Sequence, residues 1–203
     1  MEFSVAKSFE RVASLRRFGS NASMPKEFFA ALWKTKSPRR VNVFCWILFQ
    51  GKLNTADIIQ KKSPSDALLP SFCCLCTKSG EDHDHLFFHC YFASKCWNLL
   101  FHQFNVDWCF DLKAGDNVYQ LLHGPPHLSS SVRFLWLNVV KALLSELWFE
   151  RNSRLFEEKR RLFDESFYSA KFKASLWCSL VDSFLHHSPS MIYANWGAFI
   201  NSV

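Results

Sequence analysis

The segment 73–90, CCLCTKSGEDHDHLFFHC, holds four of the chain's eight cysteines and three of its eight histidines. Within it, Cys73, Cys76, His85 and Cys90 follow the spacing C-x2-C-x8-H-x4-C. Two ligands from a tight turn and two from a second short segment can surround one ion tetrahedrally. Three thiolates and one imidazole favour zinc over magnesium or calcium, which prefer oxygen ligands. Because four protein ligands leave no open position, the spacing predicts a structural, non-catalytic zinc knuckle.

Neighbouring residues offer alternative ligands. Cys74 could replace Cys73, and His83 or His89 could replace His85. His85 and His89 are four residues apart, so they would share a face if this stretch were helical. Gly80 is expected to adopt a positive φ in the turn between the two halves, and the acidic residues at 81–84 are expected to keep the loop in water.

A cluster of plainly buried cysteines with surface histidines is the rival interpretation of the segment. We assign that role instead to the four cysteines outside it, since free cysteine is often buried: Cys45, Cys96, Cys109 and Cys178. A thioredoxin-like redox motif is disfavoured because no strand and helix of the required kind flank Cys73.

Composition favours a mainly α fold. The 203 residues are 49% hydrophobic and include 22 Phe and 8 Trp but only 6 Gly and 7 Pro, which suits large side chains on helices better than many tight turns. Apolar periodicity predicts helices at about 5–18, 26–33, 38–50, 55–61, 92–104, 131–159 and 164–185, with a short apolar piece at 118–122. The expected architecture is a helical domain with a small inserted zinc knuckle.

Basic charge is concentrated in the first third of the chain. Residues 1–62 contain 12 Lys and Arg against 4 Asp and Glu, whereas residues 63–203 contain 12 against 14. Lys34, Lys36, Arg39 and Arg40 lie within seven residues and are candidate phosphate contacts. The alternative without a binding role is that these residues only make a helix junction soluble.

The stretch ERNSRLFEEKRR at 150–161 mixes both signs of charge and predicts a solvated helix face. Ion pairs are expected between Glu150 and Arg154 and between Glu157 and Arg161, each four residues apart.

Cellular location is inferred from what the sequence contains. Charged residues interrupt the N-terminal stretch, so no secretory signal is expected. The longest uncharged apolar run, at 41–51, is about half the length that spans a bilayer. We expect a soluble intracellular protein of the nucleus or cytoplasm with no membrane partner, where eight cysteines suit metal binding or burial better than disulfides.

Catalysis is not expected. Polymerase or RNase H chemistry needs several carboxylates converging on two Mg²⁺ ions. The sequence has no adjacent Asp-Asp pair, and its acidic residues fall in predicted loops or on predicted solvated faces.

Several segments together closely resemble a known family. LWKTKSPRRVNVFCWILFQGKLNTADII at 32–59, CCLC, EDHDHLFFHC and ASKCWNLLF resemble the zinc-binding domain that follows the reverse transcriptase in plant LINE-type (non-LTR) retrotransposons. The matching positions are Trp33, Pro38, Val41, Phe44, Trp46, Leu53, Thr55, Cys73, Cys76, Glu81, His85, Leu86, Phe87, Cys90 and Trp97. Segments at 3–8 and 148–156 look similar to the family's FSV-KS and W-ERN-R-F motifs.

The resemblance implies a non-catalytic, zinc-stabilised accessory module that helps a reverse transcriptase hold RNA or single-stranded DNA. The alternative is a structural or protein-interaction domain with no nucleic-acid role of its own. Since the sequence contains neither the polymerase nor the RNase H part, we expect a fragment of a retroelement polyprotein whose partner polymerase would be encoded elsewhere. The predicted organisation is a zinc-binding domain at 1–104, with its knuckle at 70–92, and a helical extension at 105–203 packed on it.

Overall fold

The structure is a computed structural model that describes residues 26–64, 72–110 and 113–201. The helix predicted at 5–18 lies outside these residues. The described helices are α1 (Lys26–Trp33), α2 (Arg39–Phe49), α3 (Ala56–Lys62), a π-helical turn (His85–His89), α4 (Tyr91–Phe104), α5 (Ala114–His123), α6 (Ser130–Phe156), α7 (Phe163–Cys178), a 3-10 turn (Asp182–Phe184), α8 (Pro189–Ala194) and α9 (Trp196–Asn201). The described residues contain one isolated β-bridge, so the predicted mainly α class with a Cys/His cluster is confirmed.

Helix α2 is amphipathic. Val41, Cys45 and Leu48 are buried along one side at helical spacing, whereas Val43 and Trp46 are exposed on the other. The apolar residues of the helix expected at 38–50 predict a central core helix that is apolar on most sides, and its exposed face shows that this prediction is wrong. The Ser-Pro sequence at 37–38 predicts Ser37 as the N-cap and Pro38 in the first turn, but Pro38 itself occupies the N-cap position.

Helix α6 is the long central helix. It packs against α7, α2 and α5, and side chains are buried on several of its faces. The helix ends at Phe156, three residues before the predicted end, and Glu158 then adopts a left-handed φ of 56° that turns the chain towards α7. Helix α7 ends at Cys178, seven residues before the predicted end at 185, so that part of the prediction is wrong. Beyond it, Val181 is extended at φ −122° and ψ 143°.

Helix α5 is longer than the predicted apolar piece. Its first backbone N–H, from Ala114, donates to Asp84 Oδ1 at 2.6 Å, so a carboxylate from the knuckle region caps the helix. Gly115 in its first turn lies against α2, and a Cβ built there would be 2.6 Å from the Phe49 carbonyl oxygen. The partners of α5 are distant in sequence, which is why periodicity alone underestimated it.

One cluster of buried side chains connects the described segments. It contains Phe28 from α1, Leu86 from the π-helical turn, Trp97 from α4, Trp136 from α6 and Phe167 from α7. The two predicted parts, 1–104 and 105–203, therefore contribute to the same buried cluster. None of the described helices is long and apolar enough to cross a membrane.

Candidate metal centre

The four residues with the predicted ligand spacing lie together. One ligand atom each from Cys73, Cys76, His85 and Cys90 falls within 4.8 Å of the other three. The Cys73 and Cys90 sulfurs are 3.8 Å apart, and Cys76 Sγ is 3.2 Å from His85 Nε2. Two sulfurs on a tetrahedral zinc are about 3.8 Å apart when each Zn–S bond is about 2.3 Å. The donor set therefore fits a zinc ion without large rearrangement.

The first two ligands come from a tight backbone turn. The Cys73 N–H donates to the Ser79 carbonyl at 2.7 Å, and the Thr77 N–H donates to the Cys73 carbonyl at 2.7 Å. Thr77 adopts the left-handed φ of 57°, whereas Gly80 forms an antiparallel bridge with Phe72. The expectation that Gly80 has a positive φ is therefore wrong. The turn brings both cysteine side chains to one side of the knuckle.

The other two ligands are aligned by the π-helical turn. The Cys90 N–H donates to the His85 carbonyl at 2.6 Å, and Asp82 Oδ1 accepts from the His85 N–H at 2.7 Å. In an α-helix, residues five apart point in different directions, but the wider π turn stacks them. His85 and Cys90 can therefore face the same ion.

The alternative ligands have other partners. Cys74 Sγ lies 3.5 Å from the Arg151 carbonyl, and His83 Nε2 lies 3.1 Å from the Leu53 carbonyl. The two ring nitrogens of His89 contact the backbone carbonyls of Asp84 at 3.0 Å and Phe110 at 2.9 Å. None of the three belongs to the cluster.

Burial shifts the pKa of groups both in the cluster and beside it. A hydrogen bond to Cys90, together with burial, raises the pKa of the Cys73 thiol, and a coordinated cation would reverse that effect by deprotonating the thiol. Burial lowers the pKa of His85, which favours the neutral imidazole that binds metals. Burial and the Glu81 carboxylate raise the pKa of Cys74 to about 11, so it remains a thiol.

Three of the four cysteines assigned to plain burial are buried: Cys45, Cys96 and Cys178. Cys109 is exposed, so that part of the prediction is wrong. Cys109 lies in the irregular connection after α4. Its apolar neighbours in the sequence do not indicate whether its side chain faces the core or the solvent.

A buried ion pair joins the knuckle to α6. Glu81 Oε1 accepts from Arg151 Nη2 at 2.6 Å and from the Ala56 N–H at 2.9 Å, and both charged side chains are at most 3% exposed. Asp82 is exposed as expected, but Glu81 is not, so the prediction that the acidic stretch lies in water is wrong for this residue. The two partners are 70 positions apart, and the spacing in the sequence could not reveal the pair.

Arg154 adds a second contact between α6 and the knuckle. Its Nη1 donates to the Leu75 carbonyl at 3.0 Å, and its Nε donates to Glu150 Oε1 at 2.7 Å. The predicted pair Glu150–Arg154 is therefore present, but it is largely buried and not solvated. Arg161 bonds to Glu146 and Glu150 and not to Glu157.

The aromatic residues that follow His85 fix the knuckle to the core. Phe87 is buried and stacks on Trp148 of α6, with ring centroids 6.2 Å apart. Trp97 of α4 donates its indole N–H to the Phe87 carbonyl at 2.7 Å. The site is consequently supported by side chains from both α4 and α6.

The four candidate phosphate contacts lie at the junction of α1 and α2. Lys34, Lys36, Arg39 and Arg40 are all exposed. None of them pairs with a carboxylate among the described residues. Thr35 and Ser37, which alternate with the two lysines, are buried.

Comparison with known proteins gives one match. Residues 3–97 match the family model described as zinc-binding in reverse transcriptase, and this segment includes all four clustered ligands and the four exposed cations. No curated protein and no solved structure matches the chain significantly. The matched family is a zinc-binding one and not a catalytic domain. The segment 3–97 thus combines the sequence pattern of the zinc-binding part of reverse transcriptases with a Cys3His cluster able to hold the ion.

Proposed function

We propose that this chain is a non-catalytic accessory module of a reverse transcriptase, stabilised by zinc and assisting the binding of RNA or single-stranded DNA. The observation that carries the proposal is the convergence of four soft and borderline ligand atoms within 4.8 Å in a segment that matches a zinc-binding reverse-transcriptase family. The resemblance noted in the sequence further supports an origin in a plant LINE-type retrotransposon, with the polymerase encoded elsewhere.

The zinc would be structural. Cys73, Cys76, His85 and Cys90 would complete a tetrahedron, which leaves no position for a reactive water. Cys73 and Cys90 are also buried, so the site has little access for a substrate. We therefore propose that the chain alone has neither polymerase nor nuclease activity.

The extension at 105–203 would support the zinc-binding part at 1–104. Arg151 neutralises Glu81 beside the knuckle, and Arg154 binds a knuckle carbonyl. These contacts hold the backbone that carries the ligands, and they would support the metal site without touching the ligand atoms themselves. We propose that residue 104 divides these two parts within one packed unit.

Nucleic-acid binding would use the exposed cations at the α1–α2 junction. Lys34, Lys36, Arg39 and Arg40 lack carboxylate partners among the described residues, so their charges are available to phosphates. Each neutralised phosphate releases counterions, which makes the affinity fall as salt rises.

A salt titration tests this function. If about four phosphates of a single strand are contacted, the slope of log affinity against log salt should be near −3. Replacing the four residues by Gln should flatten the slope, whereas the same replacement at Lys52, Lys62, Lys159 and Arg160, which are exposed elsewhere, should not. A flat titration of the unmodified chain would instead favour a structural or protein-interaction module.

A further inference from the structure

The exposed face of α2 carries both positive charge and a large aromatic ring. At 100° per residue, Arg39, Arg40, Val43 and Trp46 fall on one arc of the helix, opposite the buried Val41 and Leu48. Trp46 is 38% exposed. Its indole makes no ring contact within the described part of the chain.

Trp46 is the most exposed of the eight tryptophans. Trp97, Trp136, Trp177 and Trp196 are buried, and Trp33, Trp108 and Trp148 are half-buried against the core. With 38% of its surface exposed, the indole forgoes part of the stabilisation that full burial would give. The exposed part of the ring is available for contact with a ligand.

The neighbouring cations suggest what the ring would contact. Arg39 lies seven residues from Trp46, a rise of about 10 Å along the helix, and Arg40 is one residue closer. Unpaired guanidinium groups attract a polyanion, while an exposed indole offers a flat surface for stacking. Bases of a duplex already stack on one another, whereas unpaired bases are free to stack on a side chain.

We propose that the exposed face of α2 binds single-stranded nucleic acid, with Trp46 stacking on an unpaired base while Arg39 and Arg40 contact the adjacent phosphates. This proposal rests on the nucleic-acid role proposed above, and it adds the form of the strand and the residue that recognises it. Val43 lies between the cations and the ring, and it provides an uncharged surface that the sugar can cross.

Equilibrium binding of the full chain to labelled oligonucleotides tests the proposal. Fluorescence anisotropy would compare oligothymidylate, oligouridylate and a duplex at one salt concentration. We expect each single strand to bind more tightly than the duplex. Tighter binding of either single strand than of the duplex supports the proposal. Trp46→Ala should weaken single-strand binding about fivefold or more, since stacking contributes roughly 1–3 kcal/mol per base.

Two further variants control for general effects. Trp46→Phe keeps an aromatic surface and should retain most of the affinity. Phe156→Ala removes a side chain that is 70% exposed at the end of α6 and should leave binding unchanged. Equal affinity of Trp46→Ala and the unmodified chain for single strands would overturn the proposal.

An abasic strand of the same length supplies a test that needs no variant. It keeps the phosphates but removes the bases, so the unmodified chain should bind it more weakly than oligothymidylate. Equal binding of the two strands, with a salt slope that the four charges still control, would overturn base stacking while leaving the proposed function intact. A flat salt slope would overturn both.

Discussion

At the residue scale, Lys141 is a buried cation whose partners are uncharged. It is fully buried in α6, and four acceptors surround the three N–H donors of its Nζ: the Leu32 carbonyl at 2.8 Å, Asn42 Oδ1 at 3.1 Å, Ser37 Oγ at 3.2 Å and the Thr35 hydroxyl. Burial lowers its pKa from 10.5 to about 8. These hydrogen bonds hold the segment between α1 and α2 against α6. In that segment Thr35 and Ser37 are buried, whereas Lys34 and Lys36 are exposed.

We predict that Lys141 makes the protein more stable as the pH rises from about 8 towards 10.5. In this window the unfolded chain keeps the proton that the folded chain has lost, so stability increases with pH. The full difference corresponds to on the order of 3 kcal/mol. Urea unfolding at pH 7.5 and 10 should show this gain as the difference in pH response between the unmodified chain and Lys141→Met, because the buried thiols that ionise on unfolding oppose it in both proteins. An identical pH response in both proteins would refute the prediction.

A second prediction concerns the buried pair Glu81–Arg151. Arg151→Met should lower the free energy of unfolding by about 3–5 kcal/mol, because it leaves the Glu81 carboxylate buried without its partner. Adding Glu81→Gln to that variant should restore part of the loss. The matched control is Lys159→Met, which removes an exposed partner of Glu157 and should change stability by less than about 0.5 kcal/mol. Similar losses in Arg151→Met and Lys159→Met would show that the pair is unimportant.

The sequence reveals local chemistry better than distant partners. The spacing of Cys73, Cys76, His85 and Cys90 was visible from the sequence, and their ligand atoms do lie together, although zinc binding by these four stays a prediction. The partners of Glu81 and Lys141 were not visible, because each contact joins residues about 70 or more positions apart. Their charges were consequently misread as solvated or left unassigned.

At the element scale, most helices with strong apolar periodicity were predicted to within a few residues, but α7 ends seven residues before its predicted end at 185. Helix α4 was expected at 92–104 and spans Tyr91–Phe104. Asn54 or Thr55 is the expected cap of α3, and the helix follows Thr55. The π-helical turn was not predicted, since its i to i+5 hydrogen bond leaves no distinctive residue pattern. Helix α5 was underestimated because Asp84, which caps it, lies 30 positions away.

The close packing of α5 on α2 gives a third prediction. Gly115→Ala should destabilise the protein by about 1–3 kcal/mol, because its Cβ would lie 2.6 Å from the Phe49 carbonyl oxygen and force the helices apart. Gly197→Ala in α9 is the matched control, since a Cβ there meets nothing within 4 Å. The control should be neutral or slightly stabilising. Thermal unfolding of both variants provides the measurement, and equal melting temperatures would contradict the packing argument.

At the scale of the whole molecule, composition predicted the fold class but not the arrangement of the helices. Abundant Phe and Trp indicated a large helical core, and the described structure has one. The arrangement depends on contacts such as Phe87 on Trp148, which connect the knuckle to α6 across 61 positions. The family match ends at residue 97, yet the side chains that support the candidate zinc site extend to α6.

We propose that zinc bound to the knuckle holds this fold together, and metal analysis of the purified full chain is the direct test. We predict one zinc per chain, lost in Cys90→Ser but kept in Cys178→Ser, where the replaced thiol is buried away from the cluster beside Asn138. Structural zinc contributes roughly 10–16 kcal/mol of apparent binding free energy in small peptides, so a strong chelator should also disorder residues 72–92 and reduce the circular dichroism signal. A chain that purifies without metal, and whose circular dichroism does not change in strong chelator, would contradict the claim.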